Sequence, residues 1–210
     1  MSEPTKEWAG TFGDDYTMRQ QATWTQRRAA NTALFAKALR TANSPEDMIE
    51  FGAGSGDNIA ALHTLYPDMQ ADAVEVNPTA AALITGARVH VTDAVHGPLP
   101  PDLQADLVLT KGFLIHVPPE QLPAMYARIL GCSSRLVLLA EYYNPTPCAV
   151  RYRDREGLLW KRDFATELIE TADRLMLPLT MRVLDYGFVW RHDPQPQDDL
   201  TWWLLKWVPR

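Results

Sequence analysis

The feature that most constrains this chain is the stretch Met48-Ile49-Glu50-Phe51-Gly52-Ala53-Gly54-Ser55-Gly56-Asp57-Asn58. A short apolar run carrying one acid, broken by three alternating glycines, predicts a buried strand that turns sharply into a helix. Glycine suits such a turn because its backbone reaches positive φ at no steric cost and passes close to a ligand without a Cβ in the way. Spacing separates this loop from two common phosphate cradles. A dinucleotide fold uses Gly-x-Gly-x-x-Gly and a P-loop uses Gly-x-x-x-x-Gly-Lys-Ser/Thr. Here the order is Glu50-x-Gly52-x-Gly54-x-Gly56, which fits neither.

That pattern resembles the first motif of class I S-adenosylmethionine-dependent methyltransferases. The resemblance implies an acid, Glu50, near the methionine end of the cofactor, and glycines that let the loop pass beneath it. Asn58, in the helix that follows, joins this set, and S-adenosylmethionine is the expected cofactor.

The rest of the chain fits one α/β domain over residues 1–210, with an arm and helical cap at 1–44 and the core at 45–210. The formal charge of -6 and pI near 5.3, with no Lys/Arg-rich run, argue against a nucleic-acid partner. A small molecule is the expected partner. The longest apolar runs, such as Leu136-Val137-Leu138-Leu139-Ala140, fall far short of a membrane span. The polar start Met1-Ser2-Glu3-Pro4 has no signal-peptide core, so a cytoplasmic chain without a membrane partner is expected. Cys132 and Cys148 have no metal-ligand spacing and read as reduced packing residues; no metal site is expected.

In chain order, Trp8-Ala9-Gly10-Thr11-Phe12-Gly13-Asp14-Asp15-Tyr16 mixes aromatics with glycines ahead of a helical stretch over residues 18–40. Trp8, Phe12 and Tyr16 read either as an aromatic lid on the substrate or as packing of the arm. After the first strand, Asp57-Asn58 open a helix that Pro67 stops. A second strand over residues 71–76 carries Glu75 and leads to Asn77-Pro78, where Asn caps and Pro begins the next helix. Glu75 therefore follows the glycine loop by about 20 residues, the position at which α/β nucleotide sites place a carboxylate on the ribose hydroxyls. Asn77 enters the cofactor set beside it.

A third strand over residues 88–92 ends at Asp93-Ala94, where methyltransferases often hold the adenine amino group with an acid; capping of the local turn is the alternative role for Asp93. A fourth strand, residues 106–110, runs into Lys111-Gly112-Phe113-Leu114-Ile115-His116-Val117-Pro118. This loop lies at the carboxyl edge of the sheet, where open parallel sheets bind ligands, and Lys111 completes the expected cofactor set. Leu122, Met125, Tyr126, Ile129 and Leu130 recur at helical spacing and read as a core-facing helix. A fifth strand, residues 136–140, delivers Glu141-Tyr142-Tyr143-Asn144-Pro145 to the same edge. Asp163 caps a helix, and residues 181–190 and 200–207 close the chain as two β-rich runs. The expected fold is a doubly wound, seven-stranded, mostly parallel Rossmann-like sheet with the last strand antiparallel and an N-terminal helical cap.

Within the methyltransferases the chain looks closest to methylases associated with pseudaminic acid biosynthesis. The likeness rests on the residue 8–16 segment, Gly112-Phe113-Leu114-Ile115-His116-Val117, Glu141-Tyr142-Tyr143-Asn144-Pro145-Thr146-Pro147 and Leu159-Trp160-Lys161-Arg162-Asp163-Phe164. It implies methyl transfer to an oxygen or nitrogen of a small polar metabolite. A second reading is a non-catalytic module that binds the cofactor or an adenine nucleotide. For the enzyme, His116 is the candidate base, since His titrates near neutral pH, and a histidine hydrogen-bonded within the loop is the alternative. Glu141, Tyr142, Tyr143 and Asn144 are candidate acceptor contacts. The insertion that follows carries Arg151, Arg153, Arg155, Lys161 and Arg162. Such a charge run reads either as a solvated loop or as an anion site in which Arg153 and Lys161 hold a carboxylate or phosphate of the acceptor.

Overall fold

A computed structural model describes residues 1–153, 155–176 and 178–210. Its centre is a seven-stranded sheet in the order β3-β2-β1-β4-β5-β9-β8. The strands are β1 Asp47–Phe51, β2 Gln70–Glu75, β3 Arg88–Val91, β4 Ala105–Lys111, β5 Ser133–Glu141, β8 Leu179–Val189 and β9 Leu200–Pro209. The first five pair in parallel, while β9 runs antiparallel to both β5 and β8. The order reverses between β1 and β4, so the carboxyl ends of these strands open a crevice there.

The central strands are largely apolar on both faces because helices cover both faces. Ile49, Phe51, Leu107, Val108 and Leu109 are all fully buried, and each such side chain contributes roughly 1.5–3 kcal/mol by leaving water. Helix α6 Leu122–Cys132 and helix α7 Phe164–Arg174 pack one face with Met125, Ile129, Phe164 and Leu168. Helix α3 Trp24–Ala38 and helix α4 Asp57–Leu65 cover the other with Leu34, Phe35, Ile59 and Leu62. Truncating Phe35 to Ala would leave a cavity costing about 3–5 kcal/mol.

Three departures from the sequence reading concern the helices and the insertion. The aromatic segment 8–16 is helical: α1 Glu3–Ala9 and α2 Thr11–Gln21 meet at Gly10, and α3 follows as a separate helix. Ser2 caps α1, accepting from the Thr5 N–H at 3.3 Å, which supplies a start signal hidden at the extreme end of the chain. Gly13 lets α1 and α2 meet closely, since a Cβ there would lie 1.9 Å from the Trp8 carbonyl oxygen. The segment after Asn77 is a single turn, α5 Pro78–Ala81. The basic insertion is a small hairpin of β6 Cys148–Ala149 and β7 Trp160–Lys161. Among the described residues no helix is long and apolar enough to cross a membrane.

Candidate active site

The glycine turn is left-handed at all three of its glycines: φ is +73° at Gly52, +54° at Gly54 and +82° at Gly56. Two backbone bonds tie it to the next strand, from Gly52 N and Ala53 N to the Val74 carbonyl, at 2.9 and 3.2 Å. Glu75 completes the brace. Its Oε2 accepts from Gly54 N at 2.7 Å and its Oε1 from Asn77 N at 2.8 Å. Burial pushes the Glu75 carboxyl above its ordinary range, against these backbone donors. A Cβ on Gly52 would strike the Phe113 ring, whereas one on Gly54 would meet nothing within 4 Å. Gly54 therefore faces open space, where a backbone without a side chain leaves room for a ligand.

That space is a cavity of about 370 Å³. Of the residues expected to hold the cofactor, Gly52, Gly54, Asn58, Glu75, Asn77, Asp93, Ala94 and Lys111 line it. Glu50 and Gly56 do not. Glu50 is sealed beneath the turn with no exposed surface, where burial raises its pKa to about 8. Its Oε1 accepts from Asn58 Nδ2 at 2.6 Å, while Oε2 is buried without a partner among the described residues. Gly56 packs against Ile84 and starts α4. Asp93 spends Oδ1 on the N–H groups of Val95, at 2.8 Å, and His96, at 3.4 Å, so it caps its turn while lining the cavity. Lys111 is pushed down to about 8 by burial, in the field of Arg27 and partly offset by Glu50.

Asn77 has a role that its position after the strand does not reveal. Its Oδ1 caps α5 through the Ala80 N–H at 2.7 Å. Its Nδ2 reaches the N-terminal arm, contacting the Trp8 carbonyl at 3.1 Å, the Gly10 carbonyl at 3.4 Å and Asp14 Oδ1 at 3.0 Å. One side chain thus docks the α1–α2 corner over the carboxyl edge of the sheet.

The second half of the cavity is aromatic. Trp8, Tyr16, His116, Tyr142 and Arg153 line it. His116 lies 4.5 Å from the Trp8 ring and 5.3 Å from Tyr152, centroid to centroid. Its Nδ1–H donates to the Leu158 carbonyl at 2.6 Å, which leaves Nε2 as an unprotonated acceptor. Burial lowers its pKa to about 4, against that hydrogen bond.

Five expected acceptor contacts stand elsewhere, each for a physical reason. Glu141 is fully buried and accepts from the N–H groups of Phe113, Leu114 and Ile115 at 3.2, 3.1 and 3.4 Å, so it braces the loop that carries His116. Tyr143 alternates to the far side of the chain and packs edge-on to Trp203 at 5.7 Å. Asn144 is half-buried and bonds the Thr146 carbonyl. Phe12 lies behind Trp8, at 5.1 Å, beneath the Arg155 guanidinium. Lys161 places its ammonium 5.4 Å above the Tyr142 ring, outside the cavity lining. Among the insertion's other cations, Arg155 pairs with Glu7 and Arg162 with Glu167. Arg153 is the one that reaches the cavity among the described residues.

Several lining residues escape sequence reading. Arg27 of α3 pairs with the buried Asp57 at 2.5 Å, and Gln197 and Asp198 arrive from the loop between β8 and β9. These residues belong to no motif. Tyr152 and Gln121 also line the wall, and the Gln121 side-chain Oε1 and Trp8 indole N–H are buried without partners among the described residues. Unsatisfied polar atoms around one cavity are what a polar ligand would satisfy.

The sheet order, the single antiparallel strand β9 and the glycine turn at the switch point together define the class I methyltransferase fold. Solved structures of that class match nearly the whole chain. A Burkholderia thailandensis 1,6-didemethyltoxoflavin-N1-methyltransferase, solved with its substrate and S-adenosylhomocysteine, superposes with TM-score 0.66 at 18% identity over 98% of this chain and 91% of that one. DhpI with S-adenosylhomocysteine gives 0.60 at 18% over 98% and 94%. Magnesium protoporphyrin IX methyltransferase from Synechocystis, with the same ligand, gives 0.65 at 12% over 98% and 97%. At these identities the likeness is one of fold. No family model and no curated protein sequence matches the chain.

Proposed function

We propose that this protein is an S-adenosylmethionine-dependent methyltransferase acting on an oxygen or nitrogen of a small polar metabolite. The observation that carries the reading is Gly54: a left-handed glycine whose missing side chain opens onto a cavity, with the Glu75 carboxylate hydrogen-bonded to its N–H. The fold neighbours solved with S-adenosylmethionine or its product support the same assignment. So does the chemistry of the donor set. Glu75 offers carboxylate lone pairs to a ribose and Asp93 has a second oxygen for an adenine amino group, while Glu50, sealed beneath the turn with its pKa raised to about 8, acts on the turn through Asn58 and carries little charge at neutral pH.

When bound, the cofactor supplies a methyl group on a sulfonium sulfur. The chain's own part is alignment and proton handling, since in-line displacement depends on holding the acceptor in an attack geometry. Trp8, Tyr16 and Tyr142 form walls for the acceptor, and Arg153 meets an anionic group on it by its planar fork. His116 is neutral at physiological pH and accepts a hydrogen bond at Nε2 from the acceptor's O–H or N–H. It orients that group and takes its proton on to water, as befits a conjugate acid with a pKa of about 4.

Calorimetry with S-adenosylmethionine and S-adenosylhomocysteine, followed by methyl-transfer assays on acidic sugars, amino acids and other small anions, tests the reading. Micromolar binding of both ligands is expected, with turnover on an anionic acceptor and at least a tenfold rise in acceptor KM for Arg153→Ala, the scale of about 1.5–3 kcal/mol for a hydrogen bond to a charge. Binding of NAD without heat from either sulfur ligand would remove the assignment. Tight binding with no turnover on any acceptor would favour the non-catalytic module.

A further inference from the structure

A line of side-chain amides runs through the protein from the acceptor wall to the floor beneath the glycine turn. Gln197 Nε2, in the loop between β8 and β9, donates to Asn31 Oδ1 at 3.1 Å. Asn31 Nδ2, in α3, donates to Asn58 Oδ1 at 2.8 Å, and Asn58 Nδ2, in the first turn of α4, donates to Glu50 Oε1 at 2.6 Å. Four elements are joined by three bonds, and every donor points toward Glu50. The common direction has a cause. An amide donates from one end and accepts at the other. Once Glu50 Oε1 holds the Asn58 donor, the Asn58 oxygen must face Asn31, which turns the Asn31 oxygen to Gln197 and leaves the Gln197 carbonyl oxygen for the cavity it lines.

The middle of the line is mostly shielded, with Asn58 at the edge of the cavity. Asn31 is 3% exposed and Asn58 8%, so water does not readily replace either partner, and breaking one bond strands a buried donor and a buried acceptor. Nearby packing does not require an amide at this place in α3, whose other buried residues, Ala30, Leu34, Phe35 and Ala38, are apolar. The far end is also seated on the acceptor wall. Asp198, next to Gln197, accepts from the Tyr142 hydroxyl at 3.4 Å, and both residues line the cavity.

We propose that Asn31 is a positioning residue that couples the β8–β9 loop on the acceptor side to the glycine turn on the cofactor side, so that ordering either end favours the other. The proposal rests on the methyltransferase reading above. Its consequence is reciprocal: a loop held in place by an acceptor raises cofactor affinity, and a bound cofactor presents the Gln197 oxygen to a donor on the acceptor.

The test is a double-mutant cycle read by calorimetry with S-adenosylhomocysteine: the parent, Gln197→Ala, Asn31→Leu and the double variant. Gln197→Ala is expected to weaken binding by about 3- to 10-fold in the parent, the range of coupling between residues of one network, and by less than about twofold once Asn31 is Leu. A direct contact between Gln197 and the ligand, or a merely packing role for Asn31, predicts the same fold-loss in both backgrounds and would overturn the coupling. So would a Gln197→Ala variant that binds as tightly as the parent. Should Asn31→Leu fail to fold by circular dichroism, Asn31→Ser, too short to bridge Gln197 and Asn58, carries the same cycle. A parent that binds no S-adenosylhomocysteine would fail at the first titration, overturning the methyltransferase reading and with it the coupling.

Discussion

The two halves of the cavity are built by different means. The half proposed for the cofactor is made of backbone: a left-handed turn, strand ends and carboxylates that take main-chain N–H groups, all set on buried parallel strands. The half proposed for the acceptor is made of side chains borrowed from the N-terminal helices, the 148–161 hairpin and the 190–199 loop. Side-chain contacts such as the Asn77 amide, the Arg155–Glu7 ion pair and the Gln197–Asn31 bond hold it in place. A backbone-built site tolerates little change and suits a shared ligand. A side-chain-built site on peripheral elements can be altered residue by residue.

The sharpest way to break the contrast is at Gly54. Gly54→Val adds a branched side chain into the open space above a residue at φ +54°. Loss of all measurable binding of S-adenosylhomocysteine is expected in calorimetry, with a strain cost of about 1–3 kcal/mol in urea unfolding. Retained binding would mean the ligand lies elsewhere. Next in size, Glu75→Ala should weaken the same binding by about 1–3 kcal/mol, the loss of a charged acceptor. Glu75→Gln, which keeps one carbonyl oxygen for the Gly54 N–H, should recover part of it. Equal affinity in Glu75→Ala and the parent would remove the ribose assignment.

The same contrast explains what could be read from the chain beforehand. The seven strands and the glycine turn were legible because period, turn chemistry and spacing are local signals, and so were Glu75 and Asp93 at strand ends. The helical nature of segment 8–16 was not, because its start is a Ser2 cap at the chain's end and its Gly10 and Gly13 read as loop residues when they serve a helix–helix corner. Glu141 misled for another reason: an acid at a strand's carboxyl edge reads as a ligand contact, yet here it satisfies three loop N–H groups. Gln197, Asn31 and Arg27 meet the site from places far apart in sequence, and no spacing rule joins them.

A third prediction concerns pH. The His116 pKa is lowered from 6.5 to about 4 by burial, so the folded state binds fewer protons than the unfolded one between those values, and stability falls as pH drops through that window. His116→Leu should therefore lose less stability than the parent between pH 6.5 and 4 in urea titrations. Acceptor turnover in the parent should show no histidine limb between pH 6 and 8. A kcat that rises with an apparent pKa near 6.5 would contradict the buried, neutral imidazole.

The smallest effect is expected inside the basic hairpin, where Arg153 and Lys161 are eight residues apart in sequence yet differently placed. Arg153 lines the cavity, while Lys161 lies over the outer face of Tyr142 at 5.4 Å. Removing the Lys161 charge forfeits a cation–π contact of about 0.5–1 kcal/mol at a partly exposed site. Its only route to the reaction is through the Tyr142 ring it steadies. Lys161→Ala should therefore raise acceptor KM about two- to fivefold, the same energy expressed as a ratio, and leave cofactor affinity and kcat unchanged. Lys161→Arg, which keeps a cation over the ring, should restore the parental KM. If Lys161→Ala instead matched Arg153→Ala in size, both cations would have to reach one anion, and the hairpin would have to close further over the cavity than this structure shows. A Lys161→Ala variant with parental KM would mean that the Tyr142 wall is held by Asp198 and the strand alone.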